Sequence, residues 1–283
     1  MELLETVAAL RAWTSARRDR PRILVPTMGA LHRGHASLVE LAAAARPGAD
    51  RVVSIFVNPT QFGPGEDFAA YPRTLEEDLA LCASLGVAAV FSPTASEIYR
   101  EDASVAVTES RLSARLCGAS RPGHFDGVCT VVAKLFLLVQ PEAAVFGEKD
   151  YQQLAVIRRL VRDLHFPVEI LSAPTVREPD GLAMSSRNRY LSPEERERAP
   201  GIHATLREVA ASIVSGALAT PAEALAELRR RVGAIPGAEI DYLEIVDAES
   251  LEPLAAFGVA EPRLLAAVRF GKTRLIDNVG VPR

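Results

Sequence analysis

The feature that most limits the fold is an alternation. Between Ile23 and Leu171, short apolar runs of strand length are separated by stretches of helical periodicity. The runs at residues 23–25, 51–57, 88–91, 143–146 and 168–171 predict strands. The spacing of Leu38, Val39, Leu41 and Ala42, and the segments 74–85, 128–139 and 151–164, predict the helices between them. Parallel neighbours need a long crossover, usually helical, so a strand–helix repeat implies a parallel sheet with helices on both faces. Ligands of such sheets meet the carboxyl ends of the strands. At the amino end, Leu3, Leu4, Val7 and Leu10 predict an opening amphipathic helix.

After Pro174 the pattern changes. Ser192-Pro193-Glu194-Glu195 and Thr220-Pro221-Ala222-Glu223 each read as a helix start with a capping box and proline at the first position. Strand-like runs follow at 240–246, 264–270 and 273–276, the last two separated by Gly271-Lys272, a tight hairpin. The expected class is therefore α/β: a Rossmann-like parallel-sheet domain over residues 1–174 and a smaller C-terminal α+β domain over 175–283. A chain of 283 residues that is 48% hydrophobic has ample core for this.

The net charge of −4 argues against broad nucleic-acid binding. Arg229, Arg230 and Arg231 end a predicted helix, where cations suit the dipole. The three cysteines, Cys82, Cys117 and Cys129, match no metal or disulfide spacing and suggest a reducing, cytoplasmic setting. Glu2 and Glu5 do not suit a secretory leader, and the apolar run 128–139 is too short to span a bilayer and contains Lys134.

The first strand runs into Pro26-Thr27-Met28-Gly29-Ala30-Leu31-His32-Arg33-Gly34-His35-Ala36-Ser37-Leu38. A strand, a glycine-bearing turn and a helix start form a common phosphate site, because the first helical N–H groups are unpaired. The glycine spacing is that of a Walker-type loop, but His35 stands where the lysine belongs and Ala36 where the Mg²⁺-binding hydroxyl belongs. What remains is His32 and His35, three apart across Gly34, which puts both imidazoles on one side. Alone, such a pair suits a zinc pair or two surface histidines equally well. The helix entrance and the small number of histidines, five in all, favour phosphoryl oxygens.

Other polar groups fall in loops or at strand ends. Asn58-Pro59-Thr60-Gln61-Phe62-Gly63 follows the second strand, and Lys149, Asp150 and Gln153 follow the fourth. Arg121-Pro122-Gly123-His124-Phe125-Asp126-Gly127 reads as a rigid turn presenting an arginine and a histidine. Thr74 with Glu77 reads as a capping box. Met184-Ser185-Ser186-Arg187-Asn188-Arg189 suits a mobile phosphate clamp, although a lone Ser-Ser-Arg is more often a solvated loop.

The His-Gly-His turn with the late Met-Ser-Ser-Arg resembles the two signatures of the nucleotidylyltransferase superfamily. Five stretches together resemble the pantothenate synthetase (pantoate–β-alanine ligase) family: Pro26 to His32, Phe56-Val57-Asn58-Pro59-Thr60-Gln61-Phe62, Tyr71-Pro72-Arg73-Thr74, Phe146-Gly147-Glu148-Lys149-Asp150-Tyr151-Gln152-Gln153, and Met184 to Asn188. They fall in the family's order along nearly the whole chain, while the tail beyond about Tyr190 contributes little.

The resemblance implies ATP-dependent joining of pantoate to β-alanine through a pantoyl adenylate, with Mg²⁺, in a cytoplasmic homodimer without membrane or nucleic-acid partners. It implies that Met28, Gly29, Ala30, Leu31, His32, Arg33, Gly34 and His35 line the ATP site, with His35 the proton donor and His32 beside it on phosphate oxygens. Gly147, Glu148, Lys149 and Asp150 would meet ribose and phosphates, with Lys149 as a mobile catalytic cation. Val176 and Met184 would flank adenine. Ser185, Ser186 and the catalytic Arg187 would hold phosphates. Gln61 and Gln153, with Asn58, would hold pantoate and β-alanine. The family's acidic positions after Tyr-Pro-Arg-Thr are Glu77 and Asp78 here, the expected Mg²⁺ side chains, with Glu77 equally suited to capping. Two other readings stay open on the turn alone: a nucleotidylyltransferase that releases an adenylylated metabolite, and a non-catalytic nucleotide sensor.

Overall fold

Strand–helix alternation builds the parallel sheet expected of it. In the computed structural model, which describes residues 1–66 and 68–282, the chain forms two units, Met1–Glu148 with Gln152–Pro174, and Lys149–Tyr151 with Thr175–Arg283. The first unit contains β1 (Glu2–Leu4), α1 (Val7–Ser15), β2 (Arg22–Thr27), α2 (Arg33–Ala45), β3 (Asp50–Ile55), α3 (Leu75–Ser84), β4 (Ala89–Phe91), α4 (Ala95–Ile98), α5 (Cys117–Ser120), α6 (His124–Val139), β5 (Ala143–Gly147), α7 (Tyr151–Asp163, whose first residue groups with the second unit) and β6 (Glu169–Ala173). The six strands lie in the order β1-β4-β3-β2-β5-β6, every neighbouring pair parallel.

The central strands carry unbroken apolar runs, Ile23-Leu24-Val25 in β2 and Ala143 to Phe146 in β5, because both faces are covered. Ile23 and Val25 of β2 pack with Leu38, Val39 and Ala42 of α2. Leu24, pointing the other way by the two-residue period, is also fully buried, and α6 packs against β2. Each such aliphatic side chain contributes about 1.5–3 kcal/mol on burial.

The opening helix is shorter than its spacing suggests. Leu3 and Leu4 lie in β1, paired with Val90 and Phe91 of β4, and the helix starts at Val7 behind Thr6, whose side chain accepts from Ala9 N–H. Leu3 and Leu4 fit either element locally, and the open edge of the sheet decides. The segment expected to be a rigid turn from Arg121 to Gly127 instead gives four residues to α6, which begins at His124 behind the left-handed Gly123.

The second unit adds α8 (Pro193–Arg198), α9 (Gly201–Val214), α10 (Pro221–Gly233), β7 (Ala238–Asp247), β8 (Pro262–Phe270) and β9 (Thr273–Gly280). Both expected capping boxes form. Ser192 Oγ accepts from Glu195 N–H while the Glu195 carboxylate accepts from Ser192 N–H, and Thr220 and Glu223 do the same. The antiparallel sheet runs β7-β8-β9, with Phe270 paired to Thr273 across the two-residue Gly271-Lys272 turn. Ile202 and Leu206 of α9 and Leu228 and Val232 of α10 close over Leu243, Leu264 and Val268. Among the described residues no helix is long and apolar enough to cross a membrane.

Candidate active site

In the first unit, β3, β2 and β5 are consecutive in the sheet, so the turns after Ile55, Thr27 and Gly147 leave by the same edge. The order also reverses here: the chain passes from β2 outward through β3 and β4, and later outward the other way through β5 and β6. Ligands of open parallel sheets bind at such a switch point. Three of the sequence-predicted segments, at Met28–His35, Asn58–Gln61 and Gly147-Glu148, are thus brought to one edge.

The first turn is shaped by a buried carboxylate. Gly29 has φ +83° and Ala30 φ +50°. Asp78 of α3, 2% exposed, accepts from Ala30 N–H at 2.9 Å and Leu31 N–H at 2.7 Å. Thr74 Oγ1 adds a third hydrogen bond at 3.3 Å. Bonds to a charged acceptor contribute roughly 1.5–3 kcal/mol each, which is enough to hold Ala30 in a conformation L-residues avoid. A Cβ on Gly29 would stand 3.0 Å from Asp78 Oδ2 and 3.1 Å from Ile55 Cγ2, so glycine serves both the turn and the close approach.

This arrangement bears on two expectations. Thr74 and Glu77 form no capping box: the Thr74 side chain makes no cap bond and turns to Asp78, and Glu77 is exposed. Asp78 spends its carboxylate on the backbone of the turn. Among the described residues no group of three or more His, Cys, Asp or Glu could hold a metal ion. The donor set does not fit a protein-built Mg²⁺ site at Glu77 and Asp78.

His32 and His35 cap α2 reciprocally. His32 Nδ1 accepts from Gly34 N–H at 3.1 Å, and His35 Nδ1 accepts from His32 N–H at 3.2 Å. The imidazoles take the parts that a hydroxyl and a glutamate play in an ordinary capping box. An Nδ1 that accepts cannot carry the ring proton of a neutral imidazole, so both rings hold it on Nε2. The rings lie 4.2 Å apart between centroids, tilted by 43°. The turn therefore carries two adjacent Nε2–H donors at a helix amino end. Arg33 is exposed and pairs with Glu40, and Met28, Leu31 and Gly34 are half-buried.

The second turn is carried by a buried amide. Asn58, 1% exposed, donates through Nδ2 to Gln61 Oε1 at 2.8 Å and to Gly127 O at 3.1 Å. Its Oδ1 accepts from Thr60 N–H, Thr60 Oγ1 and Tyr99 OH. With those bonds made, Asn58 supports the turn and is not an amide offered to a ligand. Gln61 Oε1 is committed as an acceptor from Asn58, which leaves its NH₂ as the part of the amide able to donate. Burial pushes the Tyr99 hydroxyl up, with the bonds to Thr60 and Asn58 opposing, so it remains a neutral donor.

The first turn of α6 is the bed for this turn. His124 Nδ1 donates to Gln61 O at 2.7 Å, Arg121 donates to the same oxygen at 3.1 Å, and Arg121 holds Glu66 by a two-point fork of 2.6 Å bonds. Burial alone would raise the Glu66 carboxyl, but the hydrogen bonds and charge of Arg121 outweigh it and hold the group below its ordinary value. A Cβ on Gly127 would lie 2.4 Å from Thr60 O. The sequence marked Arg121, His124 and Gly127 as parts of one turn but gave none of them a task.

β5 ends at Gly147, and Glu148 opens the short turn to Asp150 that leads into α7; Gly147 and Glu148 are both half-buried. The paired glutamines on that helix differ. Gln152, 4% exposed, donates to Leu112 O and Arg115 O and accepts from Cys117 N–H, so it holds a loop. Gln153 is half-buried and is the one suited to a ligand.

The remaining predicted residues belong to the second unit. Lys149 is half-buried with Nζ 3.6 Å from the exposed Asp150. Val176 O accepts from Met184 N–H at 3.0 Å, closing a hairpin over residues 176–184. Ser185 Oγ caps the short turn Ser186–Tyr190 by accepting from Arg187 N–H at 3.2 Å. Val176, Met184, Ser185, Ser186 and Arg187 are all half-buried.

Known proteins match this chain along nearly its whole length. The family model for pantoate-beta-alanine ligase matches residues 2–280. The pantothenate synthetase of Moorella thermoacetica is 53% identical over 283 residues, covering 99% of this chain and 98% of the relative. That of Thermus thermophilus is 53% identical over 285 residues, with 99% of each covered. The crystal structure of a Thermus thermophilus pantothenate synthetase superposes with a TM-score of 0.92 at 51% identity, with all of both chains covered. The Francisella tularensis pantoate-beta-alanine ligase, complexed with beta-gamma ATP and beta-alanine, gives 0.81 at 34% identity, with 99% of this chain and 97% of that one covered. On the full-length match, the five stretches and the shared fold, this chain belongs to the pantoate–β-alanine ligase family.

Proposed function

We propose that the turn at His32 and His35 is where ATP meets pantoate, and that the ligase reaction proceeds through a pantoyl adenylate. A carboxylate is a poor electrophile. Its oxygen first attacks the α-phosphorus, the new O–P bond forms, the bond to the β-phosphate oxygen breaks and pyrophosphate leaves. The amine of β-alanine then attacks the acyl carbon, the bond to AMP breaks, and the amine loses a proton as the amide forms. Neither step requires a covalent enzyme nucleophile. Burial pushes the thiols of Cys82 and Cys129 up to about 11 and about 12, which suits inert core cysteines.

What the chain must supply is position and compensation for developing charge. The Nε2–H groups of His32 and His35 donate to phosphoryl oxygens as negative charge builds, with His35 the proton donor. The Gln61 NH₂ and the Gln153 amide bind oxygens of pantoate, with β-alanine beside Gln61. Met28 to His35 line the nucleotide, and Gly147 to Asp150 meet ribose and phosphates, with Lys149 as the cation. Val176 and Met184 flank adenine, and Ser185 to Arg187 hold phosphates. Magnesium travels with the nucleotide's phosphates and keeps most of its waters; no protein side chain is assigned to it.

The single observation that carries the reading is the reciprocal cap that fixes both imidazoles as Nε2 donors at the switch point of the sheet. His35→Ala should lower pantoate-dependent exchange of pyrophosphate into ATP by about 100-fold or more and leave the fold intact. Unchanged exchange would sink the assignment, and pyrophosphate release without amine-dependent AMP release would favour a nucleotidylyltransferase. We also propose that residues 175–283 close over bound ATP, hinging in the link that begins at Pro174, to keep water from the adenylate; scattering profiles identical with and without ATP and pantoate would remove that idea. All three cysteines are free and buried, which supports a cytoplasmic setting. A homodimer, as the family resemblance implies, is tested directly by sedimentation.

A further inference from the structure

Two adjacent residues of β9, Asp277 and Asn278, are polar yet only 5% and 4% exposed. Neighbours on a strand point to opposite faces, and each of these two reaches a different segment of the same unit. Asp277 takes the guanidinium of Arg177 in a two-point fork, 2.7 Å and 2.9 Å. Arg177 also donates to Gly181 O at 3.1 Å and bridges to Ala183 across the hairpin. Glu178 N–H to Leu182 O and Met184 N–H to Val176 O complete that hairpin. Asn188 Nδ2 donates back to Ala183 O at 3.0 Å, so the Met184-Ser185-Ser186-Arg187 loop starts and finishes on the piece that Asp277 holds.

Asn278 serves the other segment. Its Nδ2 donates to Lys149 O at 3.0 Å, and its Oδ1 accepts from Arg263 Nε at 2.8 Å. The Arg263 guanidinium lies 3.6 Å over the ring of Tyr151, whose hydroxyl donates to Ala248 O at 3.0 Å. Asp277 Oδ1 accepts from Asn278 N–H at 2.7 Å, joining the two systems.

We propose that Asp277 and Asn278 are positioning residues which lock the Lys149 segment and the Met184–Arg187 loop to one strand, so that the lysine and the serine–arginine loop reach the phosphates of the nucleotide as one rigid body. The proposal rests on the reading of Lys149 and Arg187 as phosphate ligands. Long cationic side chains lose much rotamer freedom on binding, and anchoring their backbone roots removes part of that cost beforehand. The lock acts on the nucleotide alone, because Gln61 and Gln153, the pantoate ligands, belong to the other unit.

Two gentle variants test it. N278D keeps an acceptor for Arg263 but loses the donor to Lys149 O. R177K keeps the charge opposite Asp277 but loses the fork. Each is assayed by pyrophosphate–ATP exchange with pantoate, alongside thermal unfolding. The lock predicts that KM for ATP rises about ten-fold in each while KM for pantoate stays within about two-fold. The double variant should be more impaired than either single, since the two cuts loosen different segments, the hairpin and the Lys149 segment. Unchanged KM for ATP in a folded variant, or an equal rise for pantoate, overturns it. If N278D does not fold, R177K decides by the same two readouts. Wild-type protein that makes no AMP from ATP, pantoate and β-alanine would instead defeat the ligase reading, with the lock untouched as the cause.

Discussion

Replacing Gly127 with alanine tests how tightly the substrate amide is placed. The new Cβ would sit 2.4 Å from Thr60 O and 2.6 Å from Thr60 C. An unstrained carbon–oxygen contact is about 3.3 Å, so α6 and the Asn58–Gln61 turn must part by about 0.9 Å. The obstacle is backbone, so no rotamer change relieves it. Parting them stretches the Asn58 Nδ2 bond to Gly127 O, now 3.1 Å, and the His124 bond to Gln61 O, now 2.7 Å. Overpacking of this kind costs about 1–3 kcal/mol, and 2 kcal/mol would lower the melting temperature by roughly 4–8 °C in a chain of this size. The functional effect is larger. A displacement near 1 Å at a group that orients a reactant can cost on the order of 100-fold in rate.

The assay is steady-state kinetics with pantoate varied at saturating ATP, with the melt recorded in parallel. G127A should lose kcat/KM for pantoate by 10- to 100-fold, roughly, with KM for ATP little changed. A second variant, G127A with Thr60→Gly, removes Thr60 Oγ1, which would stand 2.8 Å from the new Cβ, but not the carbonyl. It should fail to restore activity. Full rescue by T60G, or a G127A protein with native melting and native pantoate kinetics, would refute the reasoning, because either would mean that the backbone contact is not what sets the position of Gln61.

Three further outcomes follow from the same geometry. D78N should lose about 2–4 kcal/mol in urea unfolding, because a neutral amide replaces a charged acceptor of two backbone N–H groups, and should raise KM for ATP by disturbing the Met28–Leu31 turn. Q152A should lower the melting temperature through the Leu112–Cys117 loop with little effect on pantoate KM, whereas Q153A should do the reverse; matching effects would mean the two glutamines are not divided between structure and substrate. Glu66 has a carboxyl held below its ordinary value in the folded state, so its contribution to stability is fully present above the unfolded value near 4.5 and is lost as pH falls through the lower folded value. Melting temperature followed from pH 6 downward should therefore fall less steeply in E66Q than in the native protein.

The parallel sheet was legible because its signal is local and repeated: five apolar runs with four helical periods between them leave little choice of architecture. The capping boxes at Ser192 and Thr220 were legible for the same reason, since donor and acceptor sit three residues apart. Where a side chain had two possible partners the sequence could not choose. Thr74 had Glu77 three residues on and Asp78 four residues on, and the buried turn at Ala30, 48 positions away, drew Asp78 inward and Thr74 with it. Leu3 and Leu4 kept helical spacing, yet the open edge beside β4 claimed them. Gly127 showed only as the end of a turn with no task, and Asp277 and Asn278 gave no signal. Their partners, Thr60, Arg177 and Lys149, lie 67, 100 and 129 positions away, and only tertiary pairing makes them matter.

The reciprocal cap has a cost in evolvability that explains the choice of residue. An ordinary capping box can exchange serine for threonine or aspartate with about 1 kcal/mol at stake. At His32 and His35 the capping atom is Nδ1 and the atom proposed to meet the phosphates is Nε2 of the same ring, so helix start, ring orientation and tautomer are set by one pair of bonds. Asparagine keeps an acceptor near the Nδ1 position but has nothing at Nε2; glutamine reaches further but leaves the tautomer question without meaning. His35→Asn should accordingly preserve the melting temperature to within the change of a single cap while adenylation collapses, and a variant that lost both in proportion would mean that the ring contributes only as a cap.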